Sequence, residues 1–401
     1  MSDFDDLIRK IDDGREGKAI WIPIGFPKMG KFVGITPNTY SLFAGDPGSG
    51  KTSFVDQGFI LNPYEWVRQN GERTDIRLEI VYRSMERSKI MKLGKWVCLK
   101  LYEENDVLVD VPTVFGWGEH RKRLPDAVYD WIKAAREYYE RMLEHVDLID
   151  GAENPTGIYR HAVNKALEHG TFIDAAAKEG QIHIYKKGAR LYGDFKTKPE
   201  ILKFGKEKLV EITVFGKKYQ IKPHRRYYIQ EDPRLVLLLV KDHIGRCKRE
   251  QGLDDKGIID KSSEYDVILR DVFGYSIVNI QQFNRGMADT NRMTKGVKRP
   301  MKSDFKGSGN TFEDADNVMC LFNPWSYEIL TELGYKIPEF VNKGGYNRYR
   351  SVHVLKNSYG IDNVAYGMNF VGEVGHFTEL PIADSISDYK KYANLTAKSL
   401  C

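Results

Sequence analysis

Apolar residues follow two periodicities along this chain, one typical of helices and one typical of buried strands. Within residues 4–13 the apolar positions recur at intervals of three and four, which predicts a short amphipathic helix. Residues 235–240, Leu-Val-Leu-Leu-Leu-Val, form an unbroken apolar run, as in a strand buried on both faces of a parallel sheet. Because so short a helix is not stable alone, we expect its apolar face to dock on this chain or on a neighbouring one.

Further strands and helices alternate through the rest of the chain. Alternation of this kind predicts an α/β fold with a mainly parallel, doubly wound sheet flanked by helices. The predicted strands are residues 40–44, 77–82, 235–240 and 275–280, and the predicted helices are residues 88–103, 126–146 and 265–273. Residues 155–180 show no clear period and are predicted as helical or irregular.

A basic segment interrupts this alternation. Residues 181–230 contain thirteen lysines and arginines but four aspartates and glutamates, a net charge of +9, within a chain whose net charge is +5. Residues 209–215 and 219–221 flank a glycine turn and predict a β-hairpin, so we interpret 203–230 as an insertion. Such a segment could bind a phosphate backbone, or it could be a solvated basic surface without a partner.

Composition narrows the class of protein. The 401 residues suggest two or three domains, or one α/β core with a large insertion. We find no apolar run long enough to span a membrane and, in the acidic start of the chain, no signal peptide. The four cysteines lie far apart without metal-binding spacing, and we expect reduced, mostly buried thiols. These features predict a cytoplasmic protein.

Residues 45–52 read Gly-Asp-Pro-Gly-Ser-Gly-Lys-Thr and match the phosphate loop G-x-x-x-x-G-K-[ST]. The glycines let backbone N–H groups surround phosphate oxygens, the Lys51 ammonium neutralises their charge, and the Thr52 hydroxyl can bind Mg²⁺. The motif therefore predicts a site for ATP and Mg²⁺. Its predicted nucleotide-binding residues are Gly45, Asp46, Pro47, Gly48, Ser49, Gly50, Lys51, Thr52 and Ser53.

Two carboxylates are candidates to complete this site. Asp242 follows the apolar strand 235–240 and is the natural partner of Mg²⁺, although an aspartate there can also be only a helix cap. Glu86 follows the strand 77–82 and could polarise the attacking water, although alone it would be an ordinary surface residue.

Three further segments resemble the DnaB-like replicative helicases, which are RecA-fold ATPases. Residues 84–88, Ser-Met-Glu-Arg-Ser, are similar to the family's S-L-E-M-S motif, and residues 281–285, Gln-Gln-Phe-Asn-Arg, to its S-Q-L-N-R motif. Residues 299–316 are similar to the family signature R-P-x-x-S-D-L-R-x-S-G-x-I-E-Q-D-A-D. With the phosphate loop and the apolar strand before Asp242, these segments occur in the family's order, and the resemblance covers about residues 18–380.

The resemblance implies a RecA-like ATP hydrolase that acts as a DNA helicase on single-stranded DNA during replication. It implies that Glu86 is the catalytic base and that Gln282 contacts the γ-phosphate. It also implies a homo-oligomer, a hexameric ring or a filament, in which a basic loop grips DNA. The predicted DNA-binding residues are Arg285, Arg292, Lys295, Lys298, Arg299, Lys302 and Lys306.

The chain departs from the family pattern in two places. Ser358 replaces the arginine finger that reaches a neighbouring subunit's γ-phosphate, while Lys356 matches the family's lysine. Arg348 and Arg350 could substitute as trans-acting groups. The phosphate loop begins about forty residues from the start, so we expect no N-terminal accessory domain, an arrangement that would suit a phage or mobile element.

We therefore expect a linker helix in residues 1–17, an ATPase domain in 18–380 and a C-terminal tail in 381–401. Two alternatives to a helicase remain open. A scaffold or switch would bind ATP with little hydrolysis, which the serine at position 358 would favour. A RecA-like recombinase would need a strand-exchange motif, and we find none in the sequence.

Overall fold

The structure is a computed structural model of the chain, and it describes residues 3–118, 124–190, 197–205, 208–283, 299–305 and 309–394. Strands and helices are numbered here in chain order. Two short strands precede the phosphate loop, β1 (Ile22–Pro23) and β2 (Gly34–Ile35), and they pair antiparallel. Another short antiparallel pair, β15 (Thr331–Glu332) and β16 (Tyr335–Lys336), lies late in the chain.

The described residues form a central sheet of nine strands. Its strands are β3 (Thr39–Gly45), β4 (Arg77–Ser84), β5 (Val146–Asp150), β12 (Leu235–Asp242), β13 (Ser276–Gln282), β14 (Asn317–Phe322), β17 (Tyr349–Asn357), β18 (Val364–Val371) and β19 (His376–Glu379). Their order is β19-β18-β17-β14-β3-β13-β12-β4-β5. Neighbours from β14 to β5 run parallel, whereas β17, β18 and β19 extend the sheet antiparallel.

Helices cover both faces of this sheet. The helices among the described residues are α1 (Asp3–Arg15), α2 (Lys51–Val55), α3 (Asn62–Thr74), α4 (Lys89–Asn105), α5 (Val111–Phe115), α6 (Asp126–Ala134), α7 (Arg136–His145), α8 (Pro155–Leu167), α9 (Asp255–Phe273), α10 (Gly309–Asp314) and α11 (Lys390–Ala393). A π-helical turn, Asp56–Leu61, joins α2 to α3 without a break.

The apolar run of β12 explains how two cores form. Its side chains alternate, so Val236, Leu238 and Val240 enter one buried cluster while the three intervening leucines enter the other. Every residue of β12 is buried. The prediction of a strand buried on both faces of a parallel sheet is thus confirmed, as is the α/β fold class.

The basic segment forms a separate layer. Its strands are β6 (Gly170–Lys178), β7 (Gln181–Tyr185), β8 (Glu200–Lys203), β9 (Val210–Val214), β10 (Lys217–Ile221) and β11 (Arg226–Gln230). Strands β11, β6, β7 and β8 pair side by side, and β9 and β10 form the predicted hairpin. The turn at Phe215 and Gly216 has positive φ at both residues. This layer begins at Gly170, well before the predicted insertion at 203–230.

The two ends of the chain differ in packing. Helix α1 matches the predicted helix, and its apolar residues are exposed, with Phe4 67% accessible. In the predicted tail, Ala383 and Ile386 pack against Tyr349 in a small cluster of their own. The predicted helix 126–146 is two helices that meet at Ala135. Among the described residues, no helix is long and apolar enough to cross a membrane.

Candidate functional site

The phosphate loop lies where the central strand β3 ends and α2 begins. Its glycines adopt the backbone that the motif requires, since φ is +75° at Gly48 and +103° at Gly50. The Lys51 ammonium donates to the carbonyl of Asp46 at 2.6 Å. Burial lowers the pKa of Lys51 to about 8, because a charge in this cleft has lost much of its hydration.

An aromatic pair packs directly on this loop. Phe370 of β18 and Phe377 of β19 stack with their ring centroids 4.2 Å apart. A Cβ atom at Gly50 would lie 2.9 Å from Phe370 and 3.0 Å from Phe377. Gly50 is therefore needed for close approach as well as for its positive φ, and the antiparallel edge of the sheet supports the phosphate loop.

Thr52 and Asp242 meet beside the loop. The Thr52 hydroxyl, on the first turn of α2, lies 3.0 Å and 3.1 Å from the two carboxylate oxygens of Asp242, at the end of β12. Parallel strands place their carboxyl ends at one edge of a sheet, which explains how residues so distant in sequence come together. A hydroxyl and a carboxylate side by side are ligands that Mg²⁺ prefers.

A buried lysine lies behind Asp242. The Lys92 ammonium, on α4, is 2.9 Å from Asp242 Oδ2 and 3.2 Å from Asp56 Oδ1, and it contacts the Tyr82 hydroxyl. Burial opposes ionisation of Asp242, but the charge of Lys92 and hydrogen bonds from Lys92 and Thr52 hold the pKa of that carboxyl below its usual value. Burial raises the pKa of Asp56 despite the same ammonium.

Glu86 and Gln282 lie at the ends of β4 and β13, and His243 lies between them. His243 Nε2 is 3.0 Å from Glu86 Oε1 and 3.2 Å from the side-chain amide of Gln282. Its Nδ1 accepts a hydrogen bond from the Gly245 N–H at 3.1 Å, which leaves Nε2 as the protonated nitrogen of the neutral ring. Burial lowers the pKa of His243, so the neutral ring is favoured.

Arg350 enters the same cleft from β17. Its Nε donates to the carbonyl of Ser49 in the phosphate loop at 3.1 Å, and Nη1 donates to the side chain of Asn323 at 3.2 Å. Among the described residues, no carboxylate forms an ion pair with Arg350, and burial lowers the pKa of this guanidinium to about 10. Arg348 instead pairs with Glu373 at 2.7 Å. Both arginines are buried and lie beside this chain's own phosphate loop.

The predicted DNA-binding residues are placed only in part. Arg299 and Lys302 are described and exposed, and Lys302 pairs with Glu313 at 2.5 Å. Lys356 donates to the Glu313 carbonyl at 2.8 Å, and the Ser358 N–H donates to the Asp316 carbonyl at 2.9 Å. Outside the described residues lie Arg285, Arg292, Lys295, Lys298 and Lys306.

The cleft between these elements is a cavity of about 1020 Å³. That is the size of a pocket for a nucleotide, and its walls carry the chemistry of triphosphate and metal: inward backbone N–H groups, two cations, a hydroxyl and a carboxylate. Residues of the loop line it, as do Thr52, Ser53, Glu86, Asp242 and Gln282. ATP and Mg²⁺ therefore fit the residues present. Two aromatic residues, Trp325 and Tyr346, line its rim.

Sequence reasoning missed His243, Lys92 and Asp56. His243 directly follows Asp242, so its place beside the predicted site was a signal that could have been used. Lys92 and Asp56 carry no such signal, because a lysine and an aspartate within helical stretches are usually solvated. Three described cysteines, Cys98, Cys247 and Cys320, are free thiols, as expected.

No protein-family model matches the sequence, and no curated protein matches it. Solved structures do match in fold. The ATPase domain of one replicative helicase superposes with a TM-score of 0.60 at 13% identity, over 95% of this chain and 100% of that domain. A DnaB-like replicative helicase, solved in a study of its interactions with primase, has a TM-score of 0.57 at 13% identity, over 92% of this chain and 67% of that one. The chain thus has the RecA-like fold of replicative helicase ATPase domains.

Proposed function

We propose that this protein is an ATP-hydrolysing motor of the replicative-helicase type that moves along single-stranded DNA. The observation that carries the proposal is the convergence of three groups on one cavity: the Thr52–Asp242 pair, Glu86 and Gln282. These are the three functions that phosphoryl transfer to water requires, namely metal binding, water activation and contact with the γ-phosphate. The fold likeness to helicase ATPase domains supports the same hypothesis.

Each residue has a part in this proposal. Bound Mg²⁺ would neutralise charge that develops on the transferred phosphoryl group. The N–H groups of residues 48–51 and the Lys51 ammonium hold the phosphates, while Thr52 and Asp242 provide the metal ligands. Glu86 accepts a proton from the attacking water, and the neutral ring of His243, 3.0 Å away, orients that carboxylate. Arg350 adds a positive charge from the same chain.

Gln282 links the nucleotide to DNA in this proposal. It is almost the last described residue before the basic segment that contains the predicted DNA-binding side chains, and Arg299 and Lys302 follow that segment. A contact between Gln282 and the γ-phosphate would therefore change with hydrolysis at the point where the DNA-binding segment begins. Cationic contacts to the DNA backbone would provide affinity without sequence preference.

Assembly into a ring or filament is part of the proposal. The exposed apolar residues of α1, Phe4, Leu7, Ile8 and Ile11, are suited to dock on a neighbouring subunit. The buried positions of Arg348 and Arg350 favour a role within their own subunit over the trans-acting role that the sequence suggested. In this arrangement the neighbouring subunit supplies no group from the position of Ser358.

The test is steady-state ATP hydrolysis with and without single-stranded DNA. We expect severalfold stimulation by DNA, lost in Lys51→Ala, which loses nucleotide binding, and in Glu86→Gln, which retains it. Glu79→Gln, at the opposite end of the same strand from Glu86, is the matched control and should keep its turnover. Equal turnover in Glu86→Gln and the parent protein would contradict the role of Glu86.

A second candidate function is an ATP-binding switch with little hydrolysis. The observation in its favour is Ser358, because an arginine finger is worth several orders of magnitude in rate. Tight ATP binding without measurable turnover, with or without DNA, would favour the switch over the motor.

A further inference from the structure

The layer of strands β6–β11 lies at the end of the sheet opposite the nucleotide cavity. It leaves the core after α8 and returns just before Leu235, the first residue of β12, whereas Asp242, the last residue of β12, lines the cavity. Eight extended residues separate these two ends by about 25 Å. Chemistry at the cavity and chemistry on this layer are therefore separable by mutation.

Aromatic contacts fix this layer to the ATPase core. Phe172 of β6 stacks on Phe273 of α9 with centroids 5.1 Å apart, and the Tyr228 hydroxyl of β11 donates to the Ala166 carbonyl of α8 at 2.7 Å. On the other face of the four-stranded sheet the hairpin β9–β10 covers a small apolar core. That core contains Ile173, Ala175, Ile182, Val210, Ile212, Val214 and Ile221. The layer is thus held by apolar contacts, and its charged residues are not needed to pack it.

The charge on this layer is strongly one-sided. Its described residues between 170 and 230 include twelve lysines and arginines but four aspartates and glutamates, a net charge of +8. Within the described part of the chain, four of these cations form ion pairs: Lys186, Lys187, Lys218 and Arg226. The other eight are exposed and form no ion pair with any described residue: Lys178, Arg190, Lys198, Lys203, Lys208, Lys217, Lys222 and Arg225.

Four of these eight gather at the far end of β6, and we call them the distal basic cluster. Lys178 and Lys203 both lie opposite Gln181 in the strand register. Arg225 accepts a hydrogen bond through its carbonyl from the Ala175 N–H, and Lys222 lies three residues before it. Because β6 has nine residues, Lys178 lies about 25 Å from the anchored end of the strand. The cluster therefore projects away from the ATPase core.

We propose that the distal basic cluster binds the phosphodiester backbone of nucleic acid, as a second contact separate from the channel loop and from the ATP cavity. Four like charges held together without acidic partners among the described residues repel one another, and a polyanion relieves that repulsion while releasing its own counterions. Nucleic acid carries negative charge at regular short intervals, so one strand neutralises several dispersed cations at once. The rest of the chain, with a net charge of −3, does not compete for it.

The test compares two full-length variants that lose the same charge. The cluster variant is Lys178→Gln/Lys203→Gln/Lys222→Gln/Arg225→Gln, and the control is Lys31→Gln/Lys256→Gln/Lys336→Gln/Lys390→Gln, four exposed lysines outside the layer. Affinity for a fluorescent oligo(dT) and for a duplex is measured by anisotropy over a series of KCl concentrations, without nucleotide. The slope of log affinity against log salt counts the phosphate contacts, about 0.7 each for a single strand and 0.9 for a duplex.

We expect the cluster variant to lose at least two contacts' worth of slope, about 1.4 for oligo(dT) or 1.8 for the duplex, and the arm with the larger loss identifies the form bound. The control should keep the slope of the parent protein. The charge-preserving variant Lys178→Arg/Lys203→Arg/Lys222→Arg should also keep it. Equal slopes in the cluster variant and the control, or no binding of either nucleic acid by the parent protein, would overturn the proposal and leave an acidic protein as the class of partner.

This proposal does not depend on the proposed motor function. Basal ATP hydrolysis of the cluster variant should equal that of the parent, because the cluster is at the opposite end of the sheet. The Lys51→Ala protein should retain the slope contributed by the cluster. A protein that hydrolyses no ATP but shows the cluster-dependent slope would refute the motor and leave the second contact in place.

Discussion

Replacing Lys92 by methionine tests the charge balance beneath the candidate metal site. Lys92 is 1% exposed, and its ammonium neutralises two carboxylates, Asp56 and Asp242, that are 4% and 1% exposed. Methionine has a similar volume, so the change removes the charge with little change in packing. Removal of one partner from a buried ion pair leaves an uncompensated charge and costs about 3–5 kcal/mol. We expect Lys92→Met to lower the free energy of unfolding by this amount.

A double-mutant cycle with Asp56→Asn isolates the interaction. The double variant removes one positive and one negative charge together, so its cost should be smaller than the sum of the single costs, with a coupling energy of about 1–3 kcal/mol. Urea denaturation followed by circular dichroism measures all four proteins. Additive costs to within about 0.5 kcal/mol would refute the reasoning, since residues that interact directly should not act independently.

Mg²⁺ provides a second readout of the same charge balance. Without Lys92 the two carboxylates attract a cation, so 10 mM Mg²⁺, a concentration set on the order used to saturate weak carboxylate sites, should stabilise Lys92→Met more than the parent protein. Lys241→Met is the matched control, because Lys241 forms an equally buried pair with Asp266 at 2.6 Å. Asp266 is not among the residues that line the nucleotide cavity. Equal stabilisation of both methionine variants would show that Mg²⁺ acts elsewhere.

Three further predictions concern stability and nucleotide binding. Burial raises the pKa of Glu103 to about 7, so ionisation of this group costs stability as the pH rises from about 4.5 to about 7; Glu103→Gln should raise the melting temperature at pH 8 and leave it unchanged near pH 4.5. The gain should be only about 1 kcal/mol, because the side chain is 39% exposed, and an equal gain at both pH values would contradict this cause. Gly50→Ala should abolish binding of a fluorescent ADP analogue, because its Cβ atom meets the aromatic pair, whereas Gly48→Ala, which meets nothing within 4 Å, should weaken binding only mildly; similar losses in the two variants would show that backbone strain alone matters. Arg350→Gln should weaken ADP binding by tenfold or more, since about 1.4 kcal/mol or more of hydrogen bonding and charge is lost, while Arg348→Gln should not; an unchanged dissociation constant for Arg350→Gln would exclude its role at the loop.

The parallel half of the sheet was predictable because its signals are local. An apolar run such as 235–240 can only be a buried strand or helix, and the phosphate loop requires a strand before it and a helix after it. The predicted helix 126–146 was divided by the structure at Ala135, because no residue there signals a break. The extent of the basic layer was also underestimated: β6 begins at Gly170, within a stretch whose small and charged residues show neither period.

The candidate site was predictable only where a motif marks it. Lys51, Thr52, Asp242, Glu86 and Gln282 were identified by motif or strand end, and the structure places all of them around one cavity. Their catalytic roles stay predictions. Contacts that depend on long-range packing could not be foreseen, because neither the buried pairing of Lys92 with Asp242 nor the approach of β17 to the phosphate loop leaves a trace in residue spacing.

The aromatic pair that packs on the phosphate loop constrains how this sequence can change. The space that Gly50 leaves is filled by the Phe370 and Phe377 rings, so neither position is independent of the other. A larger residue at position 50 is tolerated only after a ring has become smaller, and a smaller ring leaves a cavity under the loop until position 50 changes. In a set of relatives these three positions should covary, even though more than 300 residues separate the first from the others. The hairpin β18–β19 and the phosphate loop would then be inherited as one unit.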